Sequence, residues 1–337
     1  MSACSCVGEG GDMSDNHPVD AMNGVSGRRH EKYERLVEVC RQIAPVATAV
    51  AHPCDVSSLA GAVEAARQGF IRPILVGPAD RIQAVAAEAG IDVSSYEIVD
   101  VPHSHAAAAA AVDLVRQGRA HLLMKGSLHT DELLHAVTKR ESGLRTERRI
   151  SHVFIMDVPT YHKALFITDA AVNIAPTLEE KRDIIQNAID LARALGNDRP
   201  KVAILSAVET INPQIPSTVE AGALCKMADR GQITGAVLDG PLALDNAISP
   251  EAAHIKGIVS PVAGNADILV VPDLEAGNML AKNLTFLANA DAAGIVLGAR
   301  VPIVLTSRAD SVMTRMASCA VAALFADRQR LKEPVKG

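Results

Sequence analysis

Tryptophan is absent from the 337 residues, and the chain holds three tyrosines and five phenylalanines. A chain this poor in aromatic rings lacks the stacking platforms on which single-strand nucleic-acid binders rely. An excess of positive charge is missing too. The formal net charge is -6 and the lysines and arginines are scattered rather than striped, so there is no electrostatic footprint for nucleic acid. No window approaches 18 uninterrupted apolar residues and the N-terminus has no signal-peptide core, which points to the cytoplasm. Cys4, Cys6, Cys40, Cys54, Cys225 and Cys319 show no paired metal spacing and read as free thiols in a reducing compartment. Neither a G-x-G-x-x-G nor a Walker pattern occurs, which counts against simple nucleotide binding. The G-x-S-x-G elbow of serine hydrolases is missing as well.

What is present is the composition of a globular protein, 48% hydrophobic and 21% charged, in a chain long enough for two domains. Residues 1–29 are rich in Gly, Ser, Asp and Asn without periodicity and read as a disordered leader. From residue 31 onward helical and strand patterns alternate, which predicts an α/β fold with a largely parallel sheet covered on both faces. Helices are expected at 31–44, 57–68, 80–89, 105–117, 131–139, 178–195, 218–228, 276–290 and 311–326. Strands fall between them, with 153–156 and 164–168 close enough to form a hairpin or a sheet edge. Thr177 with Glu180 forms a capping box, and Ser217 with Glu220 reads as a second. The polar stretch 139–149 reads as the seam between halves.

The most informative segment is Val301 to Ser318. A buried-strand pattern, Val301 to Leu305, breaks at Thr306-Ser307-Arg308-Ala309-Asp310-Ser311 and continues as a helix through Val312, Met316, Ala320 and Ala323. A strand running through such a turn into a helix aims hydroxyl, guanidinium and carboxylate at the carboxyl edge of a sheet. Ligands of α/β proteins bind there, and a helix N-terminus there favours an anion. Met124 to Asp131, with Lys125, Gly126, Ser127, His129 and Thr130, occupies a second strand-to-helix junction. Gly126 lets the backbone approach a ligand, Lys125 supplies a point charge, and Thr130 can cap the helix; the plainer reading is a loop with a solvated lysine. Further polar loops follow the other strands: Thr168, Asp169 and Asn173; Ser206 and Glu209; Asp239 to Asn246; and Asp273 to Asn278. Six such loops together read as one cleft. In the last, paired carboxylates fit magnesium or a base, or favour the start of a helix. His103 and His105 read as surface residues.

The series KGSLHTD, ITDAAVNIAPTLEEKRDIIQNAIDLARALG, AILSAVE, RGQITGAVLDGPLALDNAIS, VAGNADILVVPDLEAGN and TSRADS resembles the phosphate acetyl/butyryl transferases, in consistent order from about residue 30 to 326. It is most similar to the branch found elsewhere fused to an enoyl-CoA hydratase domain, a domain lacking here. The resemblance implies reversible transfer of a short acyl group between coenzyme A and phosphate, with coenzyme A as substrate, no metal and no tightly bound cofactor. It implies a fold similar to the isocitrate and isopropylmalate dehydrogenases, with two α/β domains sharing a cleft, usually in a homodimer. Residues 30–149 plus 291–330 would form the first domain and 150–290 the second. The family's Ser-Arg pair falls on Ser307 and Arg308, a hydroxyl donor and a phosphate clamp. Lys125, Gly126, His129 and Thr130 would hold phosphate or coenzyme A. The acetyl branch places its aspartate where Thr314 stands, so Asp310 is the nearest candidate base, with capping of helix 311–326 as its alternative role. The same branch has an arginine near His135. Two other readings stand beside this one: a metal- and NAD-dependent decarboxylating dehydrogenase using Asp245, Asp273 and Glu275, and a non-catalytic coenzyme A or acyl-phosphate binding protein.

Overall fold

The computed structural model describes residues 31–306 and 310–332, so the leader at 1–29 and the pair Ser307 and Arg308 lie outside the described residues. The unit from Lys32 onward is built on one eleven-stranded sheet. Its strands are β1 (Val46–Ala51), β2 (Ile71–Gly77), β3 (Glu97–Asp100), β4 (Leu122–Lys125), β5 (Ser151–Asp157), β6 (Leu165–Thr168), β7 (Lys201–Leu205), β8 (Val237–Leu242), β9 (Ile268–Val270), β10 (Asp291–Leu297) and β11 (Ile303–Val304). Across the sheet the order is β3-β2-β1-β4-β11-β10-β5-β6-β9-β7-β8.

The helices are α1 (Glu31–Cys40), α2 (Val56–Arg67), α3 (Ala79–Ala89), α4 (Ser104–Arg116), α5 (Thr130–Thr138), α6 (Leu178–Ala194), α7 (Pro216–Asp229), α8 (Leu244–Ile248), α9 (Pro250–Ile255), α10 (Leu274–Phe286) and α11 (Val312–Lys332). Short polar side chains start several of them, as expected where the first backbone N–H groups lack partners. Asp55 accepts from Ser58 N at 2.7 Å ahead of α2. Thr177 and Glu180 form the expected capping box ahead of α6. Two expectations change. Helix α7 begins at Pro216, so Ser217 lies inside it and its hydroxyl meets Ser206 Oγ at 2.8 Å instead of capping. Helix α5 is preceded by His129, so Thr130 is its first residue rather than its cap. Helix α1 stops at Cys40, α10 at Phe286, and α8 and α9 had no clear periodicity because each is about one turn and a half long.

The strand pairs are parallel except β10 with β11, β10 with β5, and β5 with β6. The hairpin β5–β6 therefore exists, but in the middle of the sheet. Three successive antiparallel pairs have a topological consequence. Strands β1 to β4 and β11 point one way, and β6, β9, β7 and β8 point the other.

The core follows the strand period of two. On one face a continuous cluster joins Val46, Val50, Leu122, Val304, Ile295, Val153, Phe166, Ile268 and Val202 beneath α2, α11, α6 and α7. The other face is divided. One cluster holds Ala49, Ile74, Leu123 and Ile303 beneath α4 and α5, and a separate one holds Met156, Ile167, Leu269 and Ala203. His152 is buried at this seam, ringed by Phe154 at 4.3 Å between centroids, and burial pushes its imidazole down to about 3. Gly294 faces it because a Cβ there would sit 2.9 Å from the ring nitrogen.

Candidate active site

The reversal of strand direction corrects the expectation of one six-loop cleft. The carboxyl ends of β4 and β11 lie at one edge of the sheet, together with that of β1. The loops after β6, β9, β7 and β8 lie at the opposite edge.

At the first edge, three loops converge. Ala51 pairs with Lys125, and Val304 with Met124, so residues 52–55, 126–129 and 305–306 are neighbours. Gly126 is required for this approach, since a Cβ would fall 2.4 Å from Ala51 O and 2.5 Å from His52 O. Ser127 ties the first two loops together. Its hydroxyl donates to His52 O at 2.9 Å, receives Cys54 N at 3.3 Å and lies 3.0 Å from His52 Nδ1. Burial, aided by the positive charge of Arg81 and opposed by Glu132 and Asp55, holds the His52 imidazole below its ordinary range.

Lys125 is 5% exposed, so it is not the solvated lysine of the plainer reading. Its ammonium donates to the carbonyls of Leu128 at 3.1 Å and Gly126 at 3.3 Å, which closes the turn it belongs to. His129 is exposed and Thr130 half-buried at the mouth of the same loop. Glu132 Oε1 accepts from His129 N at 3.4 Å.

The third loop is braced from below by a residue not foreseen as functional. Arg315 is 3% exposed, donates to Thr306 Oγ1 at 2.8 Å and to Ser57 Oγ at 3.3 Å, and runs its stem against Gly61. It links the start of α2 to the residue before Ser307. The sequence carried a signal for it: an arginine on the apolar stripe of α11, beside Met316. At the start of α11 it is Ser311 that caps, accepting from Thr314 N at 3.1 Å. Asp310 is half-buried just outside that cap. Thr314, where the acetyl branch has its aspartate, presents a hydroxyl 3.0 Å from Ser311 Oγ.

The opposite edge is occupied by groups that satisfy one another. Asp169 is buried and accepts from the backbone of Ala171, Val172 and Asn173 at 2.9, 3.0 and 3.1 Å. Burial raises its carboxyl, and these hydrogen bonds pull the other way. Asn173 donates to Ile150 O at 2.8 Å and accepts Arg149 Nε at 2.6 Å, while Arg149 also pairs with Glu180 at 2.9 Å. A cavity of about 480 Å³ beside this network is lined by Arg145, Arg148, Arg149 and Arg182 and by as many acidic side chains. Asp273 caps α10 through Ala276 N at 2.9 Å, Glu275 is exposed, and Glu209 pairs with Lys256 on the surface. Among the described residues, no three or more His, Cys, Asp or Glu side chains, Asp245, Asp273 and Glu275 included, gather where a metal ion could sit. No helix among them is long and apolar enough to cross a membrane.

The pattern of residues 103–323 matches the family described as "Phosphate acetyl/butaryl transferase". A phosphate acetyltransferase of Rhizobium meliloti is 71% identical, over 89% of this chain and 95% of its own length. The chain belongs to the phosphate acetyl/butyryl transferase family. A phosphate butyryltransferase of Clostridium acetobutylicum is 46% identical over 85% of this chain and 94% of its own length. Among solved structures, a branched-chain phosphotransacylase of Enterococcus faecalis superposes with a TM-score of 0.73 at 34% identity, covering 83% of this chain and 99% of that one. Ser307 and Arg308, on which the sequence places the family's Ser-Arg pair, follow Thr306, whose hydroxyl Arg315 holds.

Proposed function

We propose that this chain is a phosphate acyltransferase that moves a short acyl group reversibly between coenzyme A and inorganic phosphate. Acetyl is the first candidate, with propionyl and butyryl behind it. The observation that carries the reading is the agreement along nearly the whole length with a phosphate acetyltransferase.

The chemistry assigned to the first edge is as follows. Arg308 clamps the phosphate oxygens through its planar fork. Ser307 donates to the oxyanion that develops as the thiol adds to the acyl carbon. Gly126, His129, Thr130 and the Lys125 turn form the wall against which phosphate or coenzyme A rests. Holding both substrates together removes the need for an acyl-enzyme. A thiol with a pKa near 8.5 needs a base at neutral pH, and Asp310 is one candidate.

A two-domain division with a central cleft, similar to the isocitrate and isopropylmalate dehydrogenases, belongs to the same proposal. Its support is the sheet order, in which β1 to β4 with β11 and β10 are contiguous, and the core that is split on one face. Residues 30–149 plus 291–330 would then form one domain and 150–290 the other. The working protein would be a cytoplasmic homodimer without a tightly bound cofactor.

Release of free coenzyme A from acetyl-, propionyl- and butyryl-CoA, with and without phosphate, tests the reaction. Phosphate-dependent release is expected, fastest with acetyl-CoA. Saturable coenzyme A binding without any release would instead make the protein a binder, and EDTA-sensitive reduction of NAD would make it a dehydrogenase.

A further inference from the structure

We propose that the cavity at the opposite edge takes the phosphorylated adenosine end of coenzyme A, with Arg145 meeting a phosphate. The inference rests on the acyltransferase reading and deepens it, by placing the end of the substrate that does no chemistry. The cavity's volume, about 480 Å³, is of the size that small-molecule sites have.

Its polar lining is only partly used. The carboxylate of Asp183 is spent on Arg182 and on the backbone of Arg149, and that of Glu180 on Arg149 and Thr177 N. Arg148 gives one end of its fork to Asp190 and Arg182 gives two of its nitrogens to Asp183, so each guanidinium keeps N–H groups in hand. The Arg145 side chain, exposed, makes no hydrogen bond or ion pair among the described residues, and neither do those of Glu147 and Glu179. Arg145 is nonetheless firmly placed. Its backbone bridges to Ala299, Leu144 O accepts from Arg300 N at 2.9 Å, and Thr146 Oγ1 donates to Gly298 O at 2.6 Å.

These unused groups suit one class of ligand. A guanidinium fork matches the oxygens of a phosphate. An unpaired carboxylate accepts from the exocyclic amino group of adenine. Leu134, Ile150 and Val172 give the base and sugar an apolar wall. Inorganic phosphate would use the arginine and be repelled by Glu147 and Glu179, whereas an adenosine phosphate has a use for both signs.

The position agrees with the length of the substrate. Strand β5 starts beside Ile150 of the cavity wall and ends at the first edge, since β10 is antiparallel to both β5 and β11. Seven residues of strand cover about 20 Å, the span of an extended pantetheine and diphosphate arm. Helix α5 joins the same two places. Thr130, its first residue, belongs to the Lys-Gly-Ser loop, and Leu134 and Thr138 line the cavity.

Thiolysis of acetyl phosphate by coenzyme A and by pantetheine, the same thiol without its nucleotide, tests the assignment. Arg145→Ala should raise KM for coenzyme A about tenfold or more, the scale of a lost hydrogen bond to a charged group. It should leave kcat, KM for acetyl phosphate, kcat/KM for pantetheine and the melting temperature within twofold or unchanged. Adenosine 3′,5′-bisphosphate should compete with coenzyme A in the wild type and inhibit the variant about tenfold less well. An unchanged KM for coenzyme A, or an equal loss with pantetheine, overturns the proposal. A change confined to acetyl phosphate overturns it in favour of inorganic phosphate, and inhibition that coenzyme A does not relieve overturns it in favour of a separate phosphorylated effector. If the wild type forms no thioester from either thiol, the acyltransferase reading has failed rather than the place of the nucleotide.

Discussion

The two edges of the sheet are built from the same kinds of residue, yet they use them differently. At the edge formed by β6 and its neighbours, Asp169, Asn173, Arg149 and Glu180 exhaust one another's hydrogen-bonding capacity. A carboxylate there accepts three backbone N–H groups, and a guanidinium is shared between an amide and a second carboxylate. At the edge formed by β1, β4 and β11, buried Arg315 and half-buried Ser127 spend their bonds on holding loops, and two groups that follow in those loops, Thr130 and Asp310, are half-buried. Polar residues at strand ends do not by themselves mark a site. What distinguishes the two edges is whether the polar groups are consumed in holding the backbone or are themselves held by others.

That contrast can be broken at several points. Arg308→Ala should lower kcat/KM by roughly 10²–10³-fold, on the scale of removing an oxyanion or phosphate donor, with an unchanged melting curve. Near-normal steady-state kinetics would remove the Ser-Arg loop from the site. Asp169→Ala strands the backbone donors of Ala171, Val172 and Asn173 and should cost about 2–4 kcal/mol of folding stability, measured by urea denaturation. Activity per folded molecule should stay within twofold; a specific fall in kcat would place that edge in the reaction. His152 probes the seam between them. Its folded-state pKa of about 3 lies below the unfolded value of 6.5, so the unfolded chain takes up a proton first as pH falls. Stability should therefore drop by about 1.4 kcal/mol per pH unit between 6.5 and 3, and His152→Phe should flatten that slope. The smallest effect expected is that of Thr177→Ala, about 1 kcal/mol for a lost cap of α6, with no kinetic change.

The alternation of strand and helix, the capping box at Thr177 and the hairpin of β5 and β6 were legible because each is written in local periodicity or in residues three apart. The Val301–Ser311 and Met124–Asp131 junctions were legible as neighbours of a sheet edge for the same reason. Strand direction was not. The antiparallel pair β10–β5 is made by residues far apart in sequence, so the loop after β6 looked equivalent to the loop after β4. Asp310 looked like a cap because Ser311, which accepts from Thr314 N, is equally plausible by type. Arg315 and His52 were passed over because a lone charged residue on an apolar helix stripe, or a lone histidine after a strand, gains meaning from what it touches. Ser57, Thr306 and Ser127 touch them, and both Ser57 and Ser127 are remote in sequence.

The placement of β11 has a consequence for how the chain is made. Met124 of β4 pairs with Val304, a partner supplied after every residue of β5 to β10 has been synthesised. Until then the growing chain carries β4 as an open edge, of the kind that templates association with other chains. Contacts so distant in sequence are slow to form. Chains ending before β10 should accordingly recover poorly from refolding and bind holdase chaperones, although they contain the whole Lys-Gly-Ser loop. Completion of this edge and protection of that strand would then be one event, late in the life of the nascent chain.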